Sequence, residues 1–336
     1  MKLLVTGGAG FIGANFIHYW LDNHKNDEIV NLDKLTYAAD LENLKEYAND
    51  SRYSLIKGDI ADKETAEKAA KNVDIIINFA AESHVDNSIK NSSNFIRSNI
   101  VGVHNLLEIV RKTKIRFHQI STDEVYGDLP LDSNEKFTEN SPYRPKNPYS
   151  ATKAAADHLV RAYFNTYGIP ATISNCSNNH GKYQHPEKLI PKTIINALQD
   201  KQIPVYGNGM QVRDWIYVED HCSAIDLIIN KGRLGETYLV GANGEKHNLD
   251  VIKIILEKLG KSDSLIKHVE DRLGHDVRYA IDADKIIKEL DWKPKVDFDE
   301  GIDMTIDFYK KTLKRYQEKA VCKSSRDIKH VFIVFR

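Results

Sequence analysis

The stretch Lys2–Gly13, KLLVTGGAGFIG, joins a short apolar run to a cluster of glycines. It contains the spacing GxGxxG at Gly8, Gly10 and Gly13, and the overlapping spacing GxxGxxG that starts at Gly7. Glycines at these spacings let the backbone turn tightly and approach a pyrophosphate, whose charge then faces a helix N-terminus. The apolar run predicts a strand and the amphipathic segment that follows predicts a helix, so the stretch predicts a dinucleotide site.

An acidic residue closes the next predicted strand. Asp33 ends EIVNLD, about where a ribose-binding carboxylate is expected after a glycine loop. A carboxylate there favours NAD over NADP, because it repels a 2′-phosphate. The pairs Asp59-Ile60 and Ala80-Ala81 also follow predicted strands and are candidates to flank the adenine and ribose, although ordinary strand ends explain them nearly as well.

Short apolar runs alternate with helix-period segments through the first half of the chain. Buried apolar strands separated by helices indicate a parallel sheet covered on both faces. The predicted helices include Asn94–Lys112 and Pro148–Tyr167, and Asn147 and Gly168 suit the two ends of the second. The pattern predicts an α/β, doubly wound Rossmann-type fold with ligands at the carboxyl ends of the strands. The predicted strands are KLLVTG, EIVNLD, YSLIKGD, DIIINFAAES, IRFHQIST and ATISNCS.

The alternation weakens after Ser177, where loop-rich stretches begin. We predict an NAD-binding domain at residues 1–177 and a smaller, loop-rich substrate lobe at 178–316, partly interleaved with the first. A terminal helix is predicted over Gly301–Tyr316. The basic and apolar tail at 317–336 is predicted to be poorly ordered or exchanged with a neighbour, as termini often are.

Composition excludes several classes of protein. The 336 residues include 47 Lys and Arg against 48 Asp and Glu, and the balance argues against a general binder of nucleic acid or membrane surfaces. The N-terminus lacks a signal-peptide pattern, and no stretch approaches the length of a membrane span. Cys176, Cys222 and Cys322 lie far apart without a CxxC pair, so neither a zinc site nor a disulfide framework is indicated. We expect a cytoplasmic protein without a metal.

Two acids follow a hydroxyl residue at the end of a predicted strand. STDEVYG places Asp123 and Glu124 directly after Thr122, and the pair Tyr149 and Lys153 shares one face near the start of a predicted helix. A neighbouring ammonium favours the phenolate, whereas an unperturbed tyrosine titrates near pH ~10. A YxxxK pair alone is more often a solvated helix face. After a nicotinamide-type nucleotide site and a hydroxyl-bearing strand end, the pair is a much stronger candidate for a catalytic site.

These motifs resemble the extended branch of the short-chain dehydrogenase/reductase superfamily, which acts on nucleotide sugars. The resemblance is most specific to the dTDP-glucose 4,6-dehydratases, a family of rhamnose-precursor synthesis, and runs from about Lys2 to Phe308. It implies an NAD-dependent lyase that converts dTDP-glucose to dTDP-4-keto-6-deoxyglucose and water. The stretches that carry it are STDEVYG, NFAAESHVDNSI, NPYSATKAAADHLV, EKLIPK, VYGNGMQVRDWIYVEDH and DRLGHDVRYAID.

The resemblance gives the acid pair a task. Once C4 of a hexose is a ketone, its C5 proton becomes acidic, so a carboxylate can remove it while a protonated carboxyl helps the C6 hydroxyl leave as water. Asp123 is implied as the general acid, Glu124 as the C5 base and Tyr149 as the base for the C4 hydroxyl. The resemblance further implies that Thr122 holds the sugar hydroxyl and that Lys153 binds the nicotinamide ribose and tunes Tyr149. The hydride returns to C6, so there is no net redox change.

The resemblance also implies two sets of binding residues. Ser98 stands where the family usually has threonine, and arginine suits a diphosphate because its planar fork donates two hydrogen bonds. A local ion pair between Arg213 and Asp214 explains that arginine about equally well. The predicted NAD set is Gly7, Gly10, Phe11, Ile12, Gly13, Asp33, Lys34, Asp59, Ile60, Ala80, Ala81, Ser98, Tyr149 and Lys153. The predicted substrate set is Ser83, Thr122, Asn178, Lys188, Leu189, Pro204, Tyr206, Arg213, Asn248, Arg272 and His275.

The sequence departs from the family's pattern at His180, Lys182, His185, Leu273 and Val277. These positions are expected beside the substrate pocket, which leaves UDP-glucose open as an alternative substrate. The two histidines of HGKYQH have no carboxylate or cysteine partner at fitting spacing. We therefore interpret them as solvated loop residues rather than metal ligands.

Other functions on the same scaffold predict other residues. A 4-epimerase needs no acid–base pair at C5 and C6, and a nucleotide-sugar decarboxylase typically has serine where Asp123 stands. A dinucleotide-binding regulator would need the glycine loop but not the catalytic face.

The resemblance implies a homodimer through Asn94–Lys112 and Pro148–Tyr167. The sequence leaves open which apolar residues of the first helix belong to the core and which to the interface. They are Phe95, Ile96, Val103, Leu106, Leu107 and Val110.

Overall fold

The computed structural model describes residues 1–331, with side-chain surroundings through Tyr316. Twelve strands lie within this range. They are β1 (Lys2–Thr6), β2 (Glu28–Asp33), β3 (Tyr53–Lys57), β4 (Ile75–Asn78), β5 (Arg116–Thr122), β6 (Ala171–Cys176), β7 (Asn178–His180), β8 (Ile203–Tyr206), β9 (Val212–Tyr217), β10 (Thr237–Val240), β11 (Glu245–His247) and β12 (Ile266–Val269).

The described helices cover both faces of the main sheet and build most of the C-terminal lobe. They are α1 (Phe11–Asn23), α2 (Lys63–Ala69), α3 (Val85–Lys90), α4 (Ser93–Phe95), α5 (Val103–Thr113), α6 (Pro148–Tyr167), α7 (Leu189–Leu198), α8 (Val218–Lys231), α9 (Asn248–Lys258), α10 (Asp284–Leu290) and α11 (Phe298–Val331). Three 3₁₀ turns, Leu41–Tyr47, Asp123–Tyr126 and Asp263–Leu265, and a π-helical segment, Ile96–Gly102, complete the list.

Seven parallel strands form the main sheet in the order β10-β6-β5-β4-β1-β2-β3. The chain winds outward in one direction from β1 to β3 and in the other from β4 onward. The crevice for a ligand therefore lies outside the carboxyl ends of β1 and β4. The six predicted strands and the doubly wound parallel fold are confirmed. The seventh strand, β10, was not predicted, and it comes from beyond residue 177, so the sheet crosses the predicted domain boundary.

Side chains of β1 alternate between the two faces of the sheet. Leu3 and Val5 pack with α1 and α8, whereas Leu4 packs with α5 and α6 on the opposite face. Trp20 of α1 and Phe117 of β5 are both fully buried. This strict alternation gives the sheet two cores, which is why its strands read as continuous apolar runs.

Helix α6 begins and ends where the sequence predicts. The Asn147 side chain accepts a hydrogen bond from the Ser150 backbone N–H at 2.9 Å, Pro148 occupies the first helical position, and Gly168 ends the helix at a φ of 59°. The predicted helix Asn94–Lys112 is also present. It consists of α4, the π-helical segment and α5.

The C-terminal lobe lies over the carboxyl edge of the main sheet. Its strands form two small sheets, β11-β9-β7 and β12-β8. The terminal helix α11 begins three residues before its predicted start and is assigned to Val331. The prediction that the tail at 317–336 is poorly ordered falls on residues outside the fully described part of the chain. Side-chain surroundings are described only through Tyr316, and the backbone only through Val331. No helix within residues 1–331 combines the length and the apolarity needed to cross a bilayer.

Candidate active site

The glycine loop between β1 and α1 is built for close backbone packing. Gly7 has a φ of +71°, and a Cβ added there would lie 2.7 Å from the Ala80 backbone. A Cβ on Gly13 would lie 2.4 Å from the Gly7 carbonyl oxygen. The loop therefore needs glycine at these positions, and it leaves the start of α1 open toward a cavity at the carboxyl ends of β1 and β4.

Every residue of the predicted NAD set lines this first cavity. The set is contributed by the glycine loop, the ends of β2, β3 and β4, the π-helical segment and α6. The cavity also contains Thr122, Asp123, Glu124 and Ser83. The structure thus brings together residues far apart in sequence, while their role in binding a cofactor remains a prediction.

Asp33 lies at the end of β2, where it holds the glycine loop. Its two carboxylate oxygens accept hydrogen bonds from the Ala9 and Leu35 backbone N–H groups at 2.9 and 2.7 Å. Burial raises the pKa of Asp33, and these two donors oppose the rise. The acid therefore fixes the loop and faces the cavity at the same time. Such a position suits the ribose of a dinucleotide.

The 3₁₀ turn after β5 places the acid pair in the cavity. The Thr122 side chain accepts a hydrogen bond from the Glu124 backbone N–H at 3.3 Å, and its hydroxyl donates to Asp123 Oδ1 at 3.2 Å. Asp123 is almost fully buried, and among the described residues its Oδ2 has no hydrogen-bond partner. One carboxyl oxygen is therefore free to act on a ligand.

The two acids differ in their charged neighbours. Burial raises the pKa of Asp123 well above its usual range, and the charges of Glu124 and Asp214 raise it further. Burial also raises the pKa of Glu124, but the cations Lys188 and Arg213 oppose that rise. Asp123 is therefore the better proton donor of the pair, and Glu124 the better proton acceptor.

Tyr149 and Lys153 project from the first two turns of α6 into the same cavity. Burial and the Glu124 charge raise the pKa of Tyr149 well above its usual range, and a hydrogen bond with Thr122 opposes the rise. Lys153 Nζ donates to the Ile120 carbonyl oxygen at 2.6 Å. The net direction for Tyr149 is thus upward, opposite to the lowering expected from Lys153, because burial is the largest influence on this pKa.

A second cavity adjoins the first under the C-terminal lobe. Glu124, Asn178 and Lys188 line both cavities, so their junction lies beside the acid pair. The predicted substrate residues that line the second cavity are Asn178, Lys188, Leu189, Pro204, Tyr206, Arg213, Asn248, Arg272 and His275. The two others, Ser83 and Thr122, line the first.

The second cavity is rich in positive charge. Arg213 stacks on Tyr279 at 4.2 Å from the ring centroid, and its guanidinium donates to the Asp276 carbonyl oxygen at 2.8 Å. These contacts differ from the alternative interpretation of Arg213 as the partner of a local ion pair with Asp214. Arg272 pairs with Asp86. The N-termini of α7 and α9 also face this cavity, and no described side chain caps either of them. Such a set of donors suits a diphosphate.

Sequence reasoning missed several residues of the second cavity, among them Trp215 and Gln211. Trp215 and Gln211 line it, and the Trp215 indole N–H and Gln211 Oε1 are buried polar atoms without a hydrogen-bond partner among the described residues. Trp215 and Arg213 lie two apart in β9 and so share one face of the strand. That alternation was the available signal for Trp215. The same alternation extends to Gln211, which stands two residues before Arg213.

The interpretation of His180 as a solvated loop residue is wrong. Its ring is 1% exposed, and it packs among Trp215, Tyr217 and Phe298. Burial lowers its pKa to about 3. The short strand β7 places the His180 side chain inside the protein. The polar residues around His180 in the sequence gave no sign of this strand. His185 is partly buried, lines the first cavity and packs edge-on against Tyr37.

The five departures from the family's pattern lie outside the second cavity. Lys182 pairs with Glu219 at 3.0 Å, and Leu273 is 76% exposed. Leu273 and Val277 still lie beside this cavity, because their neighbours Arg272, Gly274 and Asp276 line it, whereas His185 lines the first cavity.

Comparisons with known proteins agree with this arrangement. A sequence family described as GDP-mannose 4,6 dehydratase matches residues 4–305. The chain is 49% identical to a dTDP-glucose 4,6-dehydratase of Mycobacterium tuberculosis over 331 residues, covering 95% of this chain and 99% of the relative. It is 50% identical to one from Escherichia coli over 335 residues, covering 92% of each.

Solved structures give the same result. The crystal structure of dTDP-glucose 4,6-dehydratase from Bacillus anthracis in complex with NAD superposes with a TM-score of 0.89 at 45% identity. That match covers 95% of this chain and 99% of the other. Fold and site define a Rossmann-type enzyme with a dinucleotide cavity and an adjoining, cation-rich one. The chain belongs to the GDP-mannose 4,6 dehydratase family of nucleotide-sugar dehydratases.

Proposed function

We propose that the protein is an NAD-dependent dTDP-glucose 4,6-dehydratase, a hydro-lyase that forms dTDP-4-keto-6-deoxyglucose and water. The relatives at about half identity over nearly the full chain carry this activity in their names. The observation that carries the proposal is the acid pair at the end of β5. Asp123 and Glu124 lie beside Thr122 at the junction of the two cavities, in surroundings that favour an acid and a base.

The residues present fit NAD. Gly7 and Gly13 form a backbone cradle that any Cβ would fill, and Asp33 presents a carboxylate where NADP would place a phosphate. Lys153 and Tyr149 line the same cavity. NAD, when bound, supplies the oxidant that takes hydride from C4 of the sugar and gives it back at C6.

The chain's own residues handle the protons. Thr122 and Tyr149 hold the C4 hydroxyl, and Tyr149 accepts its proton. The buried phenol loses its own proton only beside positive charge, to which Lys153 contributes. Glu124 then removes the C5 proton. Asp123 donates a proton to the departing C6 hydroxyl through the carboxyl oxygen that has no described partner.

The second cavity holds the nucleoside diphosphate. Arg213, Arg272 and Lys188 surround it with cations, and the N-termini of α7 and α9 add backbone donors. UDP-glucose is the nearest alternative substrate. The five departures from the family's pattern do not line this cavity, so they give no reason to prefer UDP-glucose over dTDP-glucose.

The test incubates the purified protein with NAD and either dTDP-glucose or UDP-glucose. We expect mass spectrometry to show loss of one water from dTDP-glucose, with no accumulation of NADH at 340 nm. An epimerase would leave the mass unchanged, and a decarboxylase would act on neither sugar. Preferential dehydration of UDP-glucose would overturn the substrate assignment but not the reaction.

We further propose a homodimer through α4–α5 and α6. Phe95, Val103, Leu106, Leu107 and Val110 are buried within the subunit, so they belong to the core. Ile96 and Val101, in the π-helical segment, are 48% and 42% exposed. An exposed apolar pair on these helices supports an interface there.

We also place the enzyme in the cytoplasm, where the free thiols of Cys176 and Cys222 stay reduced.

A further inference from the structure

A buried charged residue lies behind the catalytic helix face and has no task in the mechanism above. Asp157 of α6 is 0% exposed, one helical turn beyond Lys153, which is 5% exposed. Arg161 follows one turn later, so three charged side chains with alternating signs lie along one stripe of α6.

Three side chains hold Asp157 in place. Its Oδ2 accepts hydrogen bonds from Ser121 Oγ at 2.7 Å, Tyr143 OH at 3.0 Å and Asn175 Nδ2 at 3.2 Å. Asn175 Nδ2 also donates to the Thr122 carbonyl oxygen at 3.0 Å. The carboxylate is thereby linked to the ends of β5 and β6, and the end of β5 carries Thr122 and leads into the acid pair. Three hydrogen-bond donors from different segments of the chain hold the Asp157 carboxyl in one position.

Lys153 needs a compensating negative charge. A buried ammonium without an anion is costly, because the interior stabilises charge poorly. Burial lowers the pKa of Lys153, and Asp157 is the strongest of the described groups that oppose this. Burial raises the pKa of Asp157, and Lys153 and Ser121 oppose that rise. Each charge therefore supports the other.

We propose that Asp157 is the buried counter-charge of Lys153 and a positioning residue for the catalytic site. It keeps Lys153 in the ammonium form that the C4 oxidation requires, and its hydrogen bonds fix the ends of β5 and β6. This inference rests on the proposed function. The titratable or charged groups that face the pair are Arg161 on α6, Cys176 on β6, Tyr126 after β5 and Tyr143 before α6.

The first test compares how the rate constant of C4 oxidation, measured in single turnover, depends on pH. Asp157→Asn keeps the size of the side chain and removes its charge. Loss of a nearby anion makes the Lys153 ammonium deprotonate at lower pH, so the alkaline limb should move down by about one pH unit. Tyr143→Phe is the matched control, because it removes one hydrogen bond to Asp157 and no charge. Its alkaline limb should stay where the wild-type limb lies.

An Asp157→Asn profile that superimposes on the wild-type profile after scaling would overturn the proposal and leave Asp157 a structural residue. The wild type is assayed in the same series. Its failure to dehydrate dTDP-glucose would count against the proposed function instead.

The second test does not depend on catalysis. Thermal unfolding is measured for the wild type, Asp157→Asn, Lys153→Met and the double variant. Coupled charges predict that Asp157→Asn lowers Tm clearly in the wild-type background and much less in the Lys153→Met background. If Asp157→Asn alone fails to fold, recovery of folding in the double variant supports the coupling. Equal losses in both backgrounds, or no recovery, would contradict it.

Discussion

At the scale of single residues, adjacency in sequence does not give Asp123 and Glu124 the same chemistry. Asp123 is nearly inaccessible and has two anionic neighbours, whereas Glu124 faces Lys188 and Arg213. The difference arises because the 3₁₀ turn directs one side chain into the protein and the other toward the cation-rich cavity. Two identical functional groups thus differ in proton affinity through their surroundings, as the proposed roles of acid and base require.

Glu124→Gln and Asp123→Asn should separate these roles. Glu124→Gln should retain binding of sugar and NAD but lose exchange of the C5 proton with solvent, because an amide is not a base. Asp123→Asn should slow water loss more than C4 oxidation, because it cannot donate a proton to the leaving hydroxyl. Deuterium exchange by NMR and single-turnover absorbance at 340 nm measure the two steps. Normal exchange in Glu124→Gln, or equal slowing of both steps in Asp123→Asn, would contradict the assignment.

At the scale of elements, the active site depends on the contact between the glycine loop and α1. The Gly13 position at the start of α1 lies directly against the Gly7 carbonyl oxygen, and a Cβ added at Gly10 would approach that oxygen only to 3.3 Å. The two glycines have the same motif role in the sequence. Their packing constraints differ, because only Gly13 lies within the helix-to-loop contact.

Gly13→Ala and Gly10→Ala make a matched pair. Gly13→Ala should lower the free energy of unfolding by about 1–3 kcal/mol, the usual cost of overpacking, and weaken NAD binding by displacing the loop. Gly10→Ala should cost clearly less stability, because its φ of −79° suits alanine and the neighbouring oxygen can yield. Denaturant unfolding and calorimetric NAD titration measure both effects. Equal loss of stability in the two variants would show that the Gly7–Gly13 contact is not the constraint.

At the scale of the whole molecule, the C-terminal lobe and the sheet form one site rather than two. Strand β10 joins the sheet from beyond residue 177, and α8 packs with α1 on it. The lobe thereby holds the second cavity against the acid pair. The same architecture leaves Ile96 and Val101 on the outer surface of α4–α5, away from the described cores.

Ile96→Glu combined with Val101→Glu should convert a dimer into monomers, because charges in an apolar interface lose water without gaining partners. Light scattering after size-exclusion chromatography measures the mass. Leu131→Glu with Leu234→Glu is the control, since those side chains are 46% and 47% exposed outside the proposed interface. Unchanged mass in the Ile96/Val101 variant, or equal dissociation in the control, would count against this interface.

The sequence by itself determined the doubly wound sheet, the limits of α6 and the set of candidate catalytic residues that line the first cavity. Local signals sufficed there, because each one lies within a short contiguous segment. They are the apolar runs, the capping asparagine, the glycine spacing and the short motifs. Only the tertiary structure decided that β10 completes the sheet, that His180 is buried, that Arg213 stacks on Tyr279, and that Asp157 lies behind Lys153. These depend on contacts between segments far apart in the chain, where burial and neighbouring charges, not residue type, set the outcome.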